Sequence, residues 1–92
     1  MIKTFRCRDT RALFEGKPPR RFKAIARVAE RKLQMLDSAC GIEDLRVPSG
    51  NRREALHGDR NGEWGIRIND QWRVCFRFTE GDAFDVAIVD YH

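Results

Sequence analysis

The longest regular pattern of hydrophobic positions lies between Pro18 and Gly41. At about 100° per residue, its apolar side chains fall in one stripe roughly 100° wide, formed by Phe22, Ile25, Ala26, Ala29, Leu33 and Leu36. Pro18 and Pro19 suit the first turn of a helix, because proline lacks only an amide that is unpaired there, and Gly41 suits the end. The pattern predicts a long helix with one face in the core.

The opposite face of this predicted helix is cationic. It carries no acid, since Glu30 lies at its margin, and consists of Arg20, Lys23, Arg27, Arg31 and Gln34. Charge on the outside of an amphipathic helix is common and needs no partner other than water. The same charges also suit the phosphates of a nucleic acid, so the sequence leaves both interpretations open.

Shorter patterns flank the long helix. The segment "IKTFR" is rich in strand formers and predicts a first strand. The segment "DTRALFEGK" predicts a short helix with Asp9 or Thr10 as its N-cap and Gly16 as its end. After Gly41, the segment "GIEDLRVPSGNRREALHG" predicts a loop with a helical turn and then a short strand.

The remaining sequence alternates between apolar and polar residues. Three strand-like runs, "EWGIRIN", "QWRVCFRFT" and "AFDVAIVDY", are joined by the hairpin-length connections "ND" and "EGD". Strands joined this tightly must be antiparallel. The sequence therefore predicts an α+β fold, with a small antiparallel β-sheet and two N-terminal helices packed on one face, in a single domain over residues 1–92.

Alternation also sorts the strand residues into two faces. The core face is predicted to hold Trp64, Ile66, Ile68, Trp72, Val74, Phe76, Phe78, Phe84, Val86 and Ile88. The outer face is predicted to hold Arg67, Arg73, Cys75, Arg77, Asp85, Ala87, Val89 and Tyr91. Arginines on an exposed sheet face commonly serve cross-strand pairing and solubility. Guanidinium groups beside an aromatic ring also suit single-stranded RNA, through phosphate contacts and base stacking.

Composition narrows the class of protein. The 18 Lys and Arg residues against 14 Asp and Glu residues give a net charge of +4, which suits an anionic partner. The three cysteines form no CxxC pair, which favours a reducing compartment over a disulfide framework or zinc site. No signal peptide and no run near the roughly 18 apolar residues of a membrane span is apparent. We expect a cytoplasmic protein, not associated with membranes, that uses no metal or other cofactor.

Two short stretches carry side chains that can move or orient a proton. An apolar run is followed directly by Asp90, Tyr91 and His92, an acid, a phenol and an imidazole. Residues at the end of a sequence are ordinarily solvated and have no chemical role. His57 lies beside a turn glycine, where a histidine is more often a satisfied polar residue than a base or a ligand.

The pattern "LHGDRNGEWGIRINDQWRVCF", followed by "VAIVDYH", resembles the HigB branch of the RelE/ParE toxin superfamily of bacterial toxin–antitoxin modules. The resemblance covers nearly the whole chain. It implies a ribosome-dependent endoribonuclease that cleaves messenger RNA in the ribosomal A site. It also implies neutralisation by a HigA-like antitoxin with a helix-turn-helix, and contact with operator DNA only through the complex of toxin and antitoxin.

The resemblance also implies residue roles. Asp90, Tyr91 and His92 match active-site residues of the family, and Arg73 matches its phosphate-contacting arginine. Better-known members have a histidine at the position of Glu54, so either Glu54 or His57 is expected to be the second group that transfers a proton. Contacts with RNA or the ribosome are expected from Arg20, Lys23, Arg27, Arg31, Arg53, Arg67 and Arg77.

RNA cleavage without a metal requires a base for the 2′-hydroxyl proton, an acid for the departing 5′-oxygen and cations for the phosphoryl oxygens. His92 suits the acid role, because the unperturbed pKa of imidazole lies near neutrality. Asp90 would orient His92, Tyr91 would stack on or bond to the nucleotide, and Arg73 would stabilise the phosphorane. Two other functions remain open, a ParE-like non-catalytic inhibitor of DNA gyrase and a non-enzymatic basic RNA-binding protein.

Overall fold

A computed structural model describes residues 1–90 of the chain. Its α-helices are α1 (Arg8–Phe14) and α2 (Ala26–Ser38), and its strands are β1 (Glu54–Ala55), β2 (Trp64–Arg67), β3 (Trp72–Thr79) and β4 (Asp82–Asp90). Short 3₁₀ turns occupy Arg20–Ile25, Ile42–Arg46, Ser49–Asn51 and Gly58–Arg60. Within residues 1–90, no helix is long and apolar enough to cross a membrane.

The strands form one antiparallel sheet in the order β1-β2-β3-β4, as the hairpin-length connections predicted. The N-terminal residues run parallel to β4, but they pair with it only at two isolated bridges, Ile2 with Ala83 and Phe5 with Val86. The predicted first strand is therefore wrong as a regular strand. Between the bridges, the backbone amide of Asp85 donates to the Thr4 hydroxyl at 2.8 Å, so a side chain replaces the regular backbone pairing.

The predicted long helix is divided. A 3₁₀ turn over Arg20–Ile25 precedes α2, because Ile25 has φ −110° and ψ 0° and leaves the α-helical region. Its apolar stripe is otherwise confirmed, since all its members are buried except the half-buried Ala26. The predicted polar face is confirmed as exposed at all five positions. The 3₁₀ turn and α2 together therefore bury the apolar stripe that the periodicity indicated.

Helix α1 is confirmed. Its last residue is Phe14, its C-cap is Glu15, and Gly16 follows with φ +85°. Its N-cap is Cys7, so the prediction of Asp9 or Thr10 is wrong. Asp9 and Thr10 are instead helical residues of α1, and their side chains make tertiary contacts. Asp9 forms an ion pair with Arg21 at 2.9 Å, and the buried Thr10 hydroxyl accepts a hydrogen bond from the Ile88 amide at 2.9 Å.

The core fills the space between the helices and one face of the sheet. Its largest fully buried apolar side chains are Phe22, Phe76, Leu13, Leu33, Leu36, Leu45, Ile66, Val74 and Val86. The Phe22 ring meets the Trp72 ring edge-on, with centroids 5.4 Å apart. This contact attaches the 3₁₀ turn before α2 to the start of β3. The predicted α+β architecture is confirmed.

A bulge in β4 changes which residues face the core. Cys75 pairs with Ala87, whereas Arg77 pairs with Phe84, so β4 contains one extra residue in this interval. Asp85 lies there with φ +54°. Because an extra residue reverses the alternation, Ala83 is fully buried and Phe84 shares the face of Arg77. The assignment of Phe84 to the core was therefore wrong.

Thr10→Val should destabilise the fold by about 1–3 kcal/mol, because it keeps the shape of the side chain but leaves the Ile88 amide without an acceptor. The free energy of unfolding in urea would measure the loss. Thr79→Val is the matched control on an exposed strand position and should change stability by at most about 0.5 kcal/mol. Equal effects at the two positions would contradict the role of Thr10.

Candidate functional site

An open pocket of about 380 Å³ lies on the outer side of the sheet. Its lining residues come from the segment after β1, from β3 and from the end of β4, and they are Leu56, His57, Arg60, Arg73, Cys75, Val89 and Asp90. Three residues predicted for catalysis, His57, Arg73 and Asp90, therefore meet in one pocket. The predicted catalytic residues Tyr91 and His92 lie outside the described residues.

Arg73 lies in the wall of this pocket and is only 8% exposed. Its Nη2 atom forms an ion pair with Glu54 Oε1 at 2.5 Å. Gly65 provides the space for its stem, because a Cβ at residue 65 would lie 3.0 Å from Arg73 Cδ and 3.3 Å from Leu56 Cδ2. The outer face is thus covered at Arg73, although alternation predicted a half-exposed position.

Glu54 and His57 lie in different pockets. Glu54 lines a second pocket, of about 230 Å³, together with Arg52, Arg67, Asn69, Asp70 and Arg73. Arg73 lines both pockets, so it separates the Glu54 carboxylate from the pocket of His57 and Asp90. The structure brings His57, and not Glu54, to the pocket that Asp90 lines.

Arg60 is a second cation in the His57 pocket, and the sequence reasoning missed it. The Glu63 carboxylate is only 2% exposed and pairs with Arg60 Nη1 at 3.4 Å and with Arg6 Nη2 at 3.1 Å. The 3₁₀ turn Gly58–Arg60 places Arg60 three residues before Glu63. In the sequence, the G-D-R stretch was recognised only as part of the family motif. The signal that could have identified Arg60 is its position three residues before Glu63 in the connection between β1 and β2.

Asp90 is held at the end of the β3–β4 pairing, opposite Trp72. Its Oδ2 atom accepts a hydrogen bond from Gln71 Nε2 at 3.2 Å. Asn69 Oδ1 in turn accepts hydrogen bonds from the amides of Gln71 and Trp72, at 2.9 and 2.8 Å. This turn orients Gln71 toward Asp90. The contact joins the β2–β3 connection to the end of β4, and the sequence did not predict it.

The rest of the pocket wall is apolar or weakly polar. Leu56, Val89 and Cys75 line it, and Cys75 is 1% exposed. Burial raises the pKa of the Cys75 thiol, against the opposing effect of the nearby Arg60 and Arg73 charges. Cys75 is therefore a neutral wall residue near pH 7. Within residues 1–90, no three His, Cys, Asp or Glu side chains are grouped so that they could hold a metal ion.

The other cations predicted to contact RNA lie outside the His57 pocket. Four of them are exposed on one side of the 3₁₀ turn and α2, and this side is the cationic helix face of Arg20, Lys23, Arg27 and Arg31. Arg67 pairs with Asp70, and Arg77 Nε lies 3.6 Å from Asp85 Oδ2. Arg53 is largely buried against the Trp64 ring, at 4.8 Å from its centroid, and its Nη1 donates to the Ile42 carbonyl at 3.1 Å. Arg53 therefore also supports the loop before β1.

The arrangement of helices and sheet is the fold of the RelE-like toxins. A mutant of YafQ from Escherichia coli superposes with a TM-score of 0.66 and 11% identity, over 98% of this chain and 91% of that chain. YoeB in its complex with YefM from Staphylococcus aureus gives a TM-score of 0.62 and 16% identity, over 100% of this chain and 95% of that chain. At these identities the similarity shows the fold alone.

Within this class, the chain belongs to the HigB-like toxins, since residues 8–92 match the family model described as RelE-like toxin of type II toxin–antitoxin system HigB. Endoribonuclease HigB from Proteus vulgaris is 36% identical in an alignment that spans all of both chains. Toxin HigB-1 from Vibrio cholerae is 46% identical over 58 residues, which cover 63% of this chain and 61% of that toxin. The resemblance found in the sequence is confirmed.

Proposed function

We propose that this toxin is an endoribonuclease that cleaves messenger RNA in the ribosomal A site, and that the His57 pocket is its catalytic centre. The observation that carries the proposal is that one pocket joins an imidazole, a carboxylate and two guanidinium groups, from His57, Asp90, Arg60 and Arg73. The full-length relative from Proteus vulgaris bears the name of an endoribonuclease. These side chains supply acid–base groups and cations, which are what RNA cleavage requires.

Arg73 and Arg60 act on the phosphoryl group. Two guanidinium groups in one pocket wall donate hydrogen bonds to phosphoryl oxygens and stabilise the negative charge that grows in the transition state. Glu54 and Glu63 hold the two arginines in place through their ion pairs. Because the positions are set before RNA binds, little reorganisation is needed during the reaction.

Proton transfer is assigned to His57 and His92. His57 takes the proton from the 2′-hydroxyl, which then attacks the phosphorus, and His92 protonates the departing 5′-oxygen. Asp90 orients this machinery through its carboxylate, which Gln71 holds, and Tyr91 contacts the nucleotide. What supports His57 over Glu54 is its place in the pocket of Asp90, whereas Glu54 is engaged with Arg73 from the neighbouring pocket.

The ribosome positions the substrate. The pocket is open and small, so a particle that already holds the messenger can present it. The cationic helix face supplies contacts with ribosomal RNA through Arg20, Lys23, Arg27 and Arg31. A helix-turn-helix antitoxin is the partner that neutralises the toxin, as its membership of a toxin–antitoxin system supports.

Brief induction of the toxin in bacterial cells should produce new 5′ ends of messenger RNA in register with the reading frame. His92→Gln, which keeps hydrogen bonding but cannot transfer a proton, should reduce these cuts by about a hundredfold or more at equal toxin abundance. Mapping of 5′ ends measures both results. DNA damage and filamentation without new ends would instead support gyrase inhibition. Growth arrest without either would contradict the nuclease.

His57→Gln should lower single-turnover cleavage by roughly 10² to 10⁴, because it removes a proton-transfer group. Glu54→Gln should lower it by less than about tenfold, because the Gln side-chain oxygen can still accept a hydrogen bond from Arg73 Nη2 and keep the guanidinium in the wall. His57 is exposed, so His57→Gln should change stability by at most about 0.5 kcal/mol. Glu54→Gln should cost more, about 1–3 kcal/mol, because the buried Arg73 charge loses its carboxylate partner. The opposite ranking of cleavage rates would assign the proton transfer to Glu54.

Replacement of Arg27 and Arg31 by Glu should weaken association with ribosomes, and the loss should be largest at low salt, where charge contacts are strongest. Both side chains are exposed on α2, so folding should be preserved. Sedimentation with ribosomes over a range of salt concentrations measures the effect. Unchanged sedimentation would show that this face is only solvated.

A further inference from the structure

Three pockets of the toxin are joined by shared arginines. Arg73 lines both the His57 pocket and the Glu54 pocket. Arg52 lines both the Glu54 pocket and a third pocket, of about 300 Å³, whose other lining residues are Arg46, Ser49 and Arg53. The pockets are therefore neighbours with arginines in their shared walls. Their cations are here named the arginine track, and they are Arg60, Arg73, Arg67, Arg52, Arg53 and Arg46.

The side chains that line this track carry a net positive charge. Its three pockets are lined by six arginines but by only three carboxylates, those of Glu54, Asp70 and Asp90. Asp70, which pairs with Arg67, is fully exposed, and Glu43, which pairs with Arg46 and Arg53 from beside the third pocket, is 69% exposed. Ion pairs this exposed are weak, so an incoming phosphate can replace the carboxylate.

Arg52 is the link between the second and third pockets. Its backbone is left-handed, with φ +45° and ψ +53°, at the end of the 3₁₀ turn Ser49–Asn51. The buried Asn51 side chain fixes this turn, since its Nδ2 donates to the Leu45 carbonyl at 3.2 Å. Among residues 1–90, no carboxylate forms an ion pair with Arg52. Arg52 is thus an exposed cation on an anchored turn, available to a ligand.

The chemistry of the lining indicates the kind of ligand. The second and third pockets are lined only by arginines, carboxylates, one asparagine and one serine, with no apolar or aromatic side chain. Stable protein interfaces need a buried apolar or aromatic centre, which this part of the track lacks. A row of guanidinium groups instead matches the repeated charge of a phosphodiester backbone, which each group can bind through two hydrogen bonds.

We propose that the arginine track beyond Arg73 binds the sugar–phosphate backbone of the RNA strand that flanks the cleaved position. Arg73 holds the reacting phosphate, Arg67 and Arg52 hold the phosphates that follow, and Arg46 ends the track in the third pocket. The flanking position rests on the proposed function of the His57 pocket, whereas binding of the backbone by Arg52 and Arg46 does not. The track recognises charge and not base sequence, because contacts with the sugar–phosphate backbone carry no base-sequence information directly.

The test is the dependence of RNA affinity on strand length. Fluorescein-labelled 2′-O-methyl oligonucleotides of 3 and 12 nucleotides lack the attacking hydroxyl and so remain uncut. The full-length toxin should bind the 12-mer at least tenfold more tightly than the 3-mer in fluorescence anisotropy. The double variant Arg46→Gln and Arg52→Gln should lose most of this gain and keep its affinity for the 3-mer.

The salt dependence provides a second readout. Each phosphate neutralised on a single strand contributes about 0.7 to the slope of log K against log salt concentration, so the double variant should lower the magnitude of the slope for the 12-mer by about 1.4. The matched control is Arg8→Gln with Lys17→Gln, which removes the same charge from exposed positions that line none of the three pockets. The control should change the slope by less than half as much.

Two results would overturn the proposal. Equal losses in the track variant and the control would show that only net charge matters. Unchanged RNA binding with weaker binding of the antitoxin would show that this surface contacts protein. If messenger cleavage is absent while the length-dependent gain and its loss in the double variant remain, the proposed function fails and the binding track stands.

Discussion

A guanidinium group that is only 8% exposed imposes the main constraint on this structure. The charge of Arg73 has been taken out of water, and such a charge is tolerated only where an ion pair and hydrogen bonds compensate for the lost hydration. Glu54 supplies the ion pair from a strand of two residues at the sheet edge. Gly65, on the strand between them, leaves room for the arginine stem. Three strands therefore cooperate to hold one cation.

The same constraint divides the outer surface of the sheet. Because Arg73 forms a common wall, an acid–base pocket lies on one side of it and a purely polar, cationic pocket lies on the other. The first contains His57 and Asp90 beside Leu56, Cys75 and Val89, a partly apolar setting in which charge interactions are stronger than in water. The second pocket is lined by charged side chains, most of them exposed, and it suits binding of an anion more than acid–base chemistry. One buried cation can thus serve both proposed activities.

Buried carboxylates and short side-chain turns position the polar groups around this wall. Glu63 holds Arg60 from below the surface, and Asn69 orients the turn from which Gln71 reaches Asp90. Both arrangements lie in hairpin connections, whose ends the sheet brings close to the outer pocket. A chain of this size can therefore build a preorganised polar site from its turns while its helices and the other sheet face form the core.

The sequence by itself determined the features that depend on local order along the chain. The helical stripe, the antiparallel hairpins and the family motif all follow from residue spacing, and the structure and the family comparison confirm them. Tertiary structure decided which polar residues meet. One extra residue near Asp85 moved Phe84 out of the core. The segment after β1 lies over the outer face of the sheet, and there it places His57 and Arg60 in one pocket with the buried Arg73. Periodicity describes one strand or helix at a time, whereas these contacts depend on how separate strands and turns are brought together in space.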